Sequence, residues 1–287
     1  MENYNIKVLS VNRDKTKFFG VDYFVDLCDG SCDIFKYFFS SIDYLGQYRN
    51  EEVRFNEYKF QQFKHEVQDL ESKKIVGIYQ NPDIYNCLST LKPVLEVLEK
   101  NQLGLFLETN SPKIIEDLDL LKSFSEKLPL LIAFPITAYQ KLDLSIIPET
   151  NYLDNNFKLL HKIQDIGLNV GLVLKPLIPK INDQIEEIEK ILKKSASLNL
   201  KFVYPSFTLY FDSFKLKNFY DIINTERPQL KNYYFDNYGL KYNWESENLN
   251  ELKRAFVFKA KKLGISIAMR DIISLYRDDK FFQLKLF

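Results

Sequence analysis

Five apolar runs, each set off from the next by an amphipathic or polar stretch, constrain this chain more than any other feature. KIVGIY (74–79), LGLFLET (103–109), LLIAFPI (130–136), NVGLVLKPLI (169–178) and KFVYPSFTLYF (201–211) are largely continuous in apolar residues rather than alternating. That pattern suits strands buried on both faces, the condition of parallel sheets covered by helices. Between them, helical spacing recurs at Leu91, Val94, Leu95 and Leu98, and again at Leu118, Leu121, Phe124 and Leu128. A third helix is predicted over 155–167, ended by a left-handed cap at Gly167. A fourth spans 181–199, with Ile185, Ile188 and Leu192 on one face and Asn182 or Asp183 as its start. VDYFVDL (21–27) and the helix after it complete six strand-then-helix repeats.

The expected class is therefore α/β. A partial barrel and a doubly wound sheet both satisfy the pattern. In either, ligands bind beyond the C-terminal ends of the strands. The loops at Cys28, 81–87, 109–111 and 175–183 should then converge on one rim. Residues 1–211 are assigned to this core. Residues 212–287 change character, with aromatic-rich helical segments punctuated by Pro228, Gly239 and Gly264, and are expected to pack on the core as an extension.

Lys+Arg and Asp+Glu balance at 39 each, so overall charge does not favour nucleic acid, and an unknown small molecule or protein is the expected partner. No stretch reaches the ~20 apolar residues of a bilayer span, so no membrane partner is expected. Three cysteines, an odd number in a long chain, argue against a disulfide framework and for a reducing, cytoplasmic setting.

CDGSCDIFKYFF (28–39) is the densest concentration of chemistry. Cys28 and Cys32 flank a Gly-Ser turn directly after a strand. By themselves they suit inert buried thiols, a weak zinc site or a redox pair. His65 and His161 lie on predicted helices with no nucleophile beside them in sequence. Glu108, Glu116, Asp117 and Asp119 suggest acid–base work, although the last three open a helix, where carboxylates act as caps. Aromatics of the extension, including Phe219, Tyr234, Tyr238 and Trp244, suit capping core better than base stacking.

Taken together these loops resemble the spore photoproduct lyase-like branch of the radical S-adenosylmethionine enzymes. In that branch a C-x3-C-x2-C loop after the first strand holds a [4Fe–4S] cluster. The branch's PliPgiND segment is similar to Pro176-Leu-Ile-Pro179-Lys-Ile-Asn182-Asp183. Its TKs-x3-RDxdLL segment is similar to the stretch running from Thr109 through Ser111 and Asp117 to Leu121, and LGISIAMRDIISLY (263–276) resembles its tail. The resemblance implies a partial (β/α)6 barrel of TIM-like type.

It also carries the family's site onto Cys28 and Cys32, with Thr109 and Ser111 as further cofactor-binding positions. Where the third cluster cysteine belongs stands Phe35. The acidic loop position falls near Cys87, the family lysine at Asn110, the RDxdLL arginine at Glu116, and the EP-block glutamate at Ile147 beside Pro148, with its arginine at about Asn156. A phenylalanine offers iron no lone pair, and two thiolates leave a four-iron cluster under-coordinated. The expectation is a protein of radical SAM fold without catalytic residues or cofactor, repurposed for binding. The alternative is an active lyase whose [4Fe–4S] cluster and S-adenosylmethionine are held through Cys28, Cys32 and Cys87.

Overall fold

The computed structural model describes residues 7–14, 16–29, 53–79, 83–136, 152–175, 177–211 and 213–277. The apolar runs become adjacent strands in chain order. Strands β1 (Ser10–Val11), β2 (Tyr23–Phe24), β5 (Ile75–Ile78), β6 (Gly104–Glu108), β7 (Leu130–Ile136), β8 (Val170–Leu174) and β9 (Val203–Pro205) form one seven-stranded sheet. β1 runs antiparallel to β2, and the other five pairings are parallel. Outside this sheet, β3 (Cys28–Asp29) pairs antiparallel with β4 (Arg54–Phe55). The chain is thus an α/β protein with a mixed sheet.

Both faces of the parallel strands are apolar, which is why their sequences do not alternate. Val76, Leu105, Ile132 and Leu172 point to the helix-covered side and share one core with Val94, Leu121, Leu160 and Ile188. Those helical residues come from α2 (Lys92–Lys100), α3 (Leu118–Ser125), α4 (Tyr152–Asp165) and α5 (Ile185–Ser197), after the shorter α1 (Glu57–Glu66). Gly167 follows α4 with φ +80°, the left-handed cap its residue type predicts.

The C-terminal region contains α6 (Ser213–Glu226), α7 (Lys231–Asn237), α8 (Leu249–Lys262) and α9 (Met269–Ser274). It is not purely helical. β11 (Asn243–Glu245) pairs antiparallel with β10 (Thr208–Tyr210), across residue 211. The predicted strand 201–211 is therefore broken: its first half joins the main sheet, and its second half forms this ribbon. The break follows Pro205, which has no N–H to continue a ladder. Phe219, Tyr234, Tyr238 and Trp244 form a second core with Ile178 and Ile181. Trp244 stacks on Tyr238 at 4.6 Å and on Tyr234 at 5.3 Å. These rings are buried against one another, so none offers a face to a base.

The other face of the sheet is filled from both ends of the chain. Ile75, Phe106, Leu131, Val173 and Phe202 meet Phe19, Ile272 and Tyr276 there. Phe19 belongs to a turn in which Phe18, Phe19 and Gly20 all have positive φ, at 49°, 58° and 72°. Two consecutive phenylalanines in that region are costly, of order 1–3 kcal/mol each, and persist only where surroundings over-determine them. Here Phe19 stacks on Phe106 at 4.7 Å, and its carbonyl accepts a hydrogen bond from the Tyr276 hydroxyl. Arg277 donates to the Gly20 carbonyl and pairs at 3.1 Å with the buried Asp22. Asp22 in turn accepts the Ile75 amide at 2.9 Å.

Two capping expectations are corrected. Asn182 and Asp183 do not start α5, which begins after Gln184. The Asn182 side chain instead accepts the Ile178 amide, while Asp183 accepts the Lys180 amide and the Ser246 hydroxyl. Both close the turn over residues 178–183, since a short side-chain acceptor competes well for nearby amides in a turn. Asp117 is 1% exposed and makes no cap bond to its own helix. It accepts from the Tyr85 and Thr90 hydroxyls and from the Leu91 amide, stapling the start of α2 to the start of α3.

Candidate functional site

In the parallel strands every C-terminal end lies on the same edge of the sheet, and the loops that leave it carry the polar side chains. Cys28 lies just beyond β2, and Cys87 ends the 3-10 turn Ile84–Asn86 beyond β5. Their Cα atoms are 6.0 Å apart, and the two sulfurs form a disulfide. The reading of three cysteines as lying outside any disulfide framework is corrected for this one pair. Parallel packing brings two loops 59 positions apart in sequence onto one rim, and neighbouring thiols at that spacing can bond. Cys32 and Phe35 lie outside the described residues, as do Ile147 and Pro148.

The cysteine loop is held from α1. Asn56 caps that helix and donates to the Asp29 carboxylate at 2.6 Å, and its own amide bonds the Leu27 carbonyl at 2.9 Å. Lys59 donates to the Cys28 carbonyl at 2.7 Å and pairs with Asp29 at 3.1 Å and Asp26 at 3.5 Å. Lys59 beside it holds the Asp29 carboxyl below the ordinary carboxylate value. Cys28 itself is 2% exposed, while Cys87 is half-buried.

Next along the rim is a buried polar cluster centred on Asp83, which is 2% exposed. Its carboxylate accepts the Thr109 hydroxyl at 2.7 Å and the Tyr85 amide at 3.0 Å. Burial pushes the Asp83 carboxyl up, and the bonds from Thr109 and from the Tyr85 and Asn110 amides partly offset that. Thr109 also accepts the Ser111 amide at 3.1 Å, and Ser111 caps the 3-10 turn that follows by accepting the Lys113 amide. The hydroxyls of Thr109 and Ser111 are thus engaged within the protein. Asn110 donates to the Pro135 carbonyl at 3.3 Å, tying β6 to β7.

Glu108 and Lys175 close the rim on the side of Phe106. Glu108 ends β6 and is 2% exposed; Lys175 follows β8 and pairs with it across β7. The Tyr79 ring packs on Phe106 at 4.9 Å, and its hydroxyl donates to the Phe18 carbonyl at 3.0 Å. Burial, and then the Glu108 charge, push the Tyr79 phenol up, so it stays a neutral donor. The Lys175 side chain is one-third exposed and its ammonium is engaged by the Glu108 carboxylate, while Lys113 donates to the Tyr85 carbonyl nearby at 2.8 Å.

Sequence reasoning places the loops 81–87, 109–111 and 175–183 together; among the described residues Asp83 meets Thr109 and Lys175 meets Glu108, while Ile178 and Ile181 pack into the second core. It missed Asp83, Tyr79 and Lys175 as individuals. Asp83 follows Asn81-Pro82, a turn signal that marks a loop without saying that its carboxylate turns inward. The histidines take no part: His65 is exposed on α1, and His161 pairs with Asp165 at 2.8 Å on the surface of α4. Among the described residues, no group of three or more His, Cys, Asp or Glu side chains is arranged to hold a metal ion. Nor is any described helix long and apolar enough to cross a membrane.

No protein-family model matches the chain. A stretch of 126 residues, 43% of this chain, is 25% identical to the uncharacterized protein ORF301 of Acidianus two-tailed virus. The matched stretch spans 40% of that relative's length.

Proposed function

We propose that this chain is a partial (β/α)6 barrel of radical SAM type that has given up cluster chemistry and binds a ligand at its rim. The sequential strand order supports the barrel: β2, β5, β6, β7, β8 and β9 follow one another without the reversal that a doubly wound sheet requires. Winding in one direction puts the connecting helices on one side and leaves the other face to be filled. Here Phe19 and the C-terminal segment fill it.

The observation that carries the loss of chemistry is the Cys28–Cys87 disulfide. Cluster ligation needs thiolates, and a sulfur bonded to another sulfur is not one. The donor set among the described residues therefore does not fit a [4Fe–4S] cluster. The sequence adds a phenylalanine at position 35. What is left at the rim is Lys175 with Glu108, beside the neutral Tyr79 phenol, a combination that suits a small anionic or zwitterionic molecule. Cytoplasmic placement belongs to this proposal too. A disulfide and an intracellular setting go together chiefly in hyperthermophiles.

The 6.0 Å separation of the Cys28 and Cys87 Cα atoms favours one second reading. Once reduced, these thiols and Cys32 would ligate a cluster in an active lyase. Anaerobic reduction followed by reconstitution with iron and sulfide separates the two. The binding-protein reading expects no visible cluster absorbance, no EPR signal and no reductive cleavage of S-adenosylmethionine. A stable cluster whose cleavage activity is abolished by Cys87→Ala overturns it.

A further inference from the structure

Helix α8 is apolar on two sides, and among the described residues only one of them is packed. Leu252, Phe256 and Ala260 face inward, where Phe256 meets Phe207 at 5.8 Å and Lys259 pairs with Glu189 of α5 at 2.9 Å. On the outward side, Lys253, Arg254, Val257, Phe258 and Lys261 form one open strip of surface. Phe258 is 71% exposed and Val257 39%. Three of these five residues are cations, two are apolar, and none is a carboxylate.

The charge and shape of this stripe narrow its occupant. A second copy of the chain would set cations against cations. All five lining residues belong to one helix, so the stripe is convex, has no opposing wall, and extends only about 12 Å at 1.5 Å per residue. That is too little for a stable protein interface, which needs about 1,000 Å² or more. Duplex nucleic acid would use the cations but has no place for an exposed phenylalanine among its phosphates. A fluid anionic surface uses both: it conforms to a convex stripe, meets the cations with headgroups, and admits an aromatic ring at the acyl boundary.

We propose that the outward face of α8 docks peripherally on anionic lipid, with Phe258 as the inserted anchor and Arg254 and Lys261 at headgroup level, while Lys253 flanks them over the Phe207 ring at 5.7 Å. This revises the expectation, drawn from the lack of a long apolar stretch, that the chain has no membrane partner. The docking is reversible and needs no spanning helix.

Sedimentation of the full chain with sucrose-loaded vesicles tests it. Binding is expected to phosphatidylcholine vesicles containing phosphatidylserine, to fall with added salt, and to be absent with phosphatidylcholine alone. Each cation near such a surface contributes about fivefold, so Arg254→Glu combined with Lys261→Glu should weaken binding at least about 25-fold. Phe258→Ser should weaken it about tenfold. Both variants change exposed positions, and their circular dichroism and unfolding midpoints should match the parent. Equal binding to neutral vesicles, or binding unaffected by the charge reversal, overturns the proposal. So does binding that duplex DNA competes away while Phe258→Ser leaves it unchanged, which would assign the stripe to nucleic acid.

Discussion

Removing the Cys28–Cys87 bridge frees a closure spanning 59 positions of the unfolded chain. For a loop of that size the chain-entropy relation gives about 4 kcal/mol at room temperature, roughly a thousandfold in the folding equilibrium. The folded side of that equilibrium should change little. Lys59 and Asn56 anchor the Cys28 loop through its backbone and Asp29, and backbone bonds to Ile84 hold Cys87, so the rim keeps its shape without the bond. Equilibrium urea unfolding, with and without reductant, measures the effect. Cys28→Ala and Cys87→Ala should each lower stability by about 4 kcal/mol, and reductant should then do nothing further to either, because both lack the same bond. Cys32→Ala should stay sensitive to reductant. Thiol titration of the unreduced, denatured parent should find one free thiol. Three free thiols there, or an unfolding midpoint indifferent to reductant, would refute the reasoning.

Asp117→Ala removes one acceptor group from three donors, of which the Tyr85 hydroxyl and the Leu91 amide are fully buried. At about 1–3 kcal/mol per stranded buried donor, a loss of roughly 3 kcal/mol is expected in urea unfolding, and a loss below about 1 kcal/mol would contradict the stapling role. Burial raises the Asp83 carboxyl above its ordinary value of 3.8, so the folded state holds this proton to higher pH than the unfolded chain does. That contribution to stability is fully present below the unfolded value and is lost as pH rises through the folded one. Asp83→Asn should therefore gain on the parent as pH rises across that window, and unfolding midpoints that drift the other way would show that the hydrogen bonds outweigh desolvation.

By itself the sequence determined the α/β class and the positions of four of the five long strands, with the first part of the fifth. Those features rest on periodicity and on continuous apolar runs, which are local properties that burial on two faces imposes on every residue of a strand. It also marked Gly167 as a left-handed cap, because only a residue without a Cβ takes that backbone freely. Tertiary structure alone decided the partners. Asp117 looks like a cap on its own helix until the neighbouring loop supplies Tyr85, Thr90 and Leu91, and 201–211 looks like one strand until Asn243–Glu245 arrives to pair with its second half. Phe18 and Phe19 carry no mark of a left-handed turn. What holds them there is the Tyr79 hydroxyl on the Phe18 carbonyl, the stack of Phe19 on Phe106, and the bonds to Phe19 and Gly20 from Tyr276 and Arg277, 257 positions away. The pairing of Cys28 with Cys87 is the same kind of fact. Cysteine spacing says which thiols are near in sequence, but a disulfide depends on distance in space, and folding the sheet in strand order is what brings those two loops together.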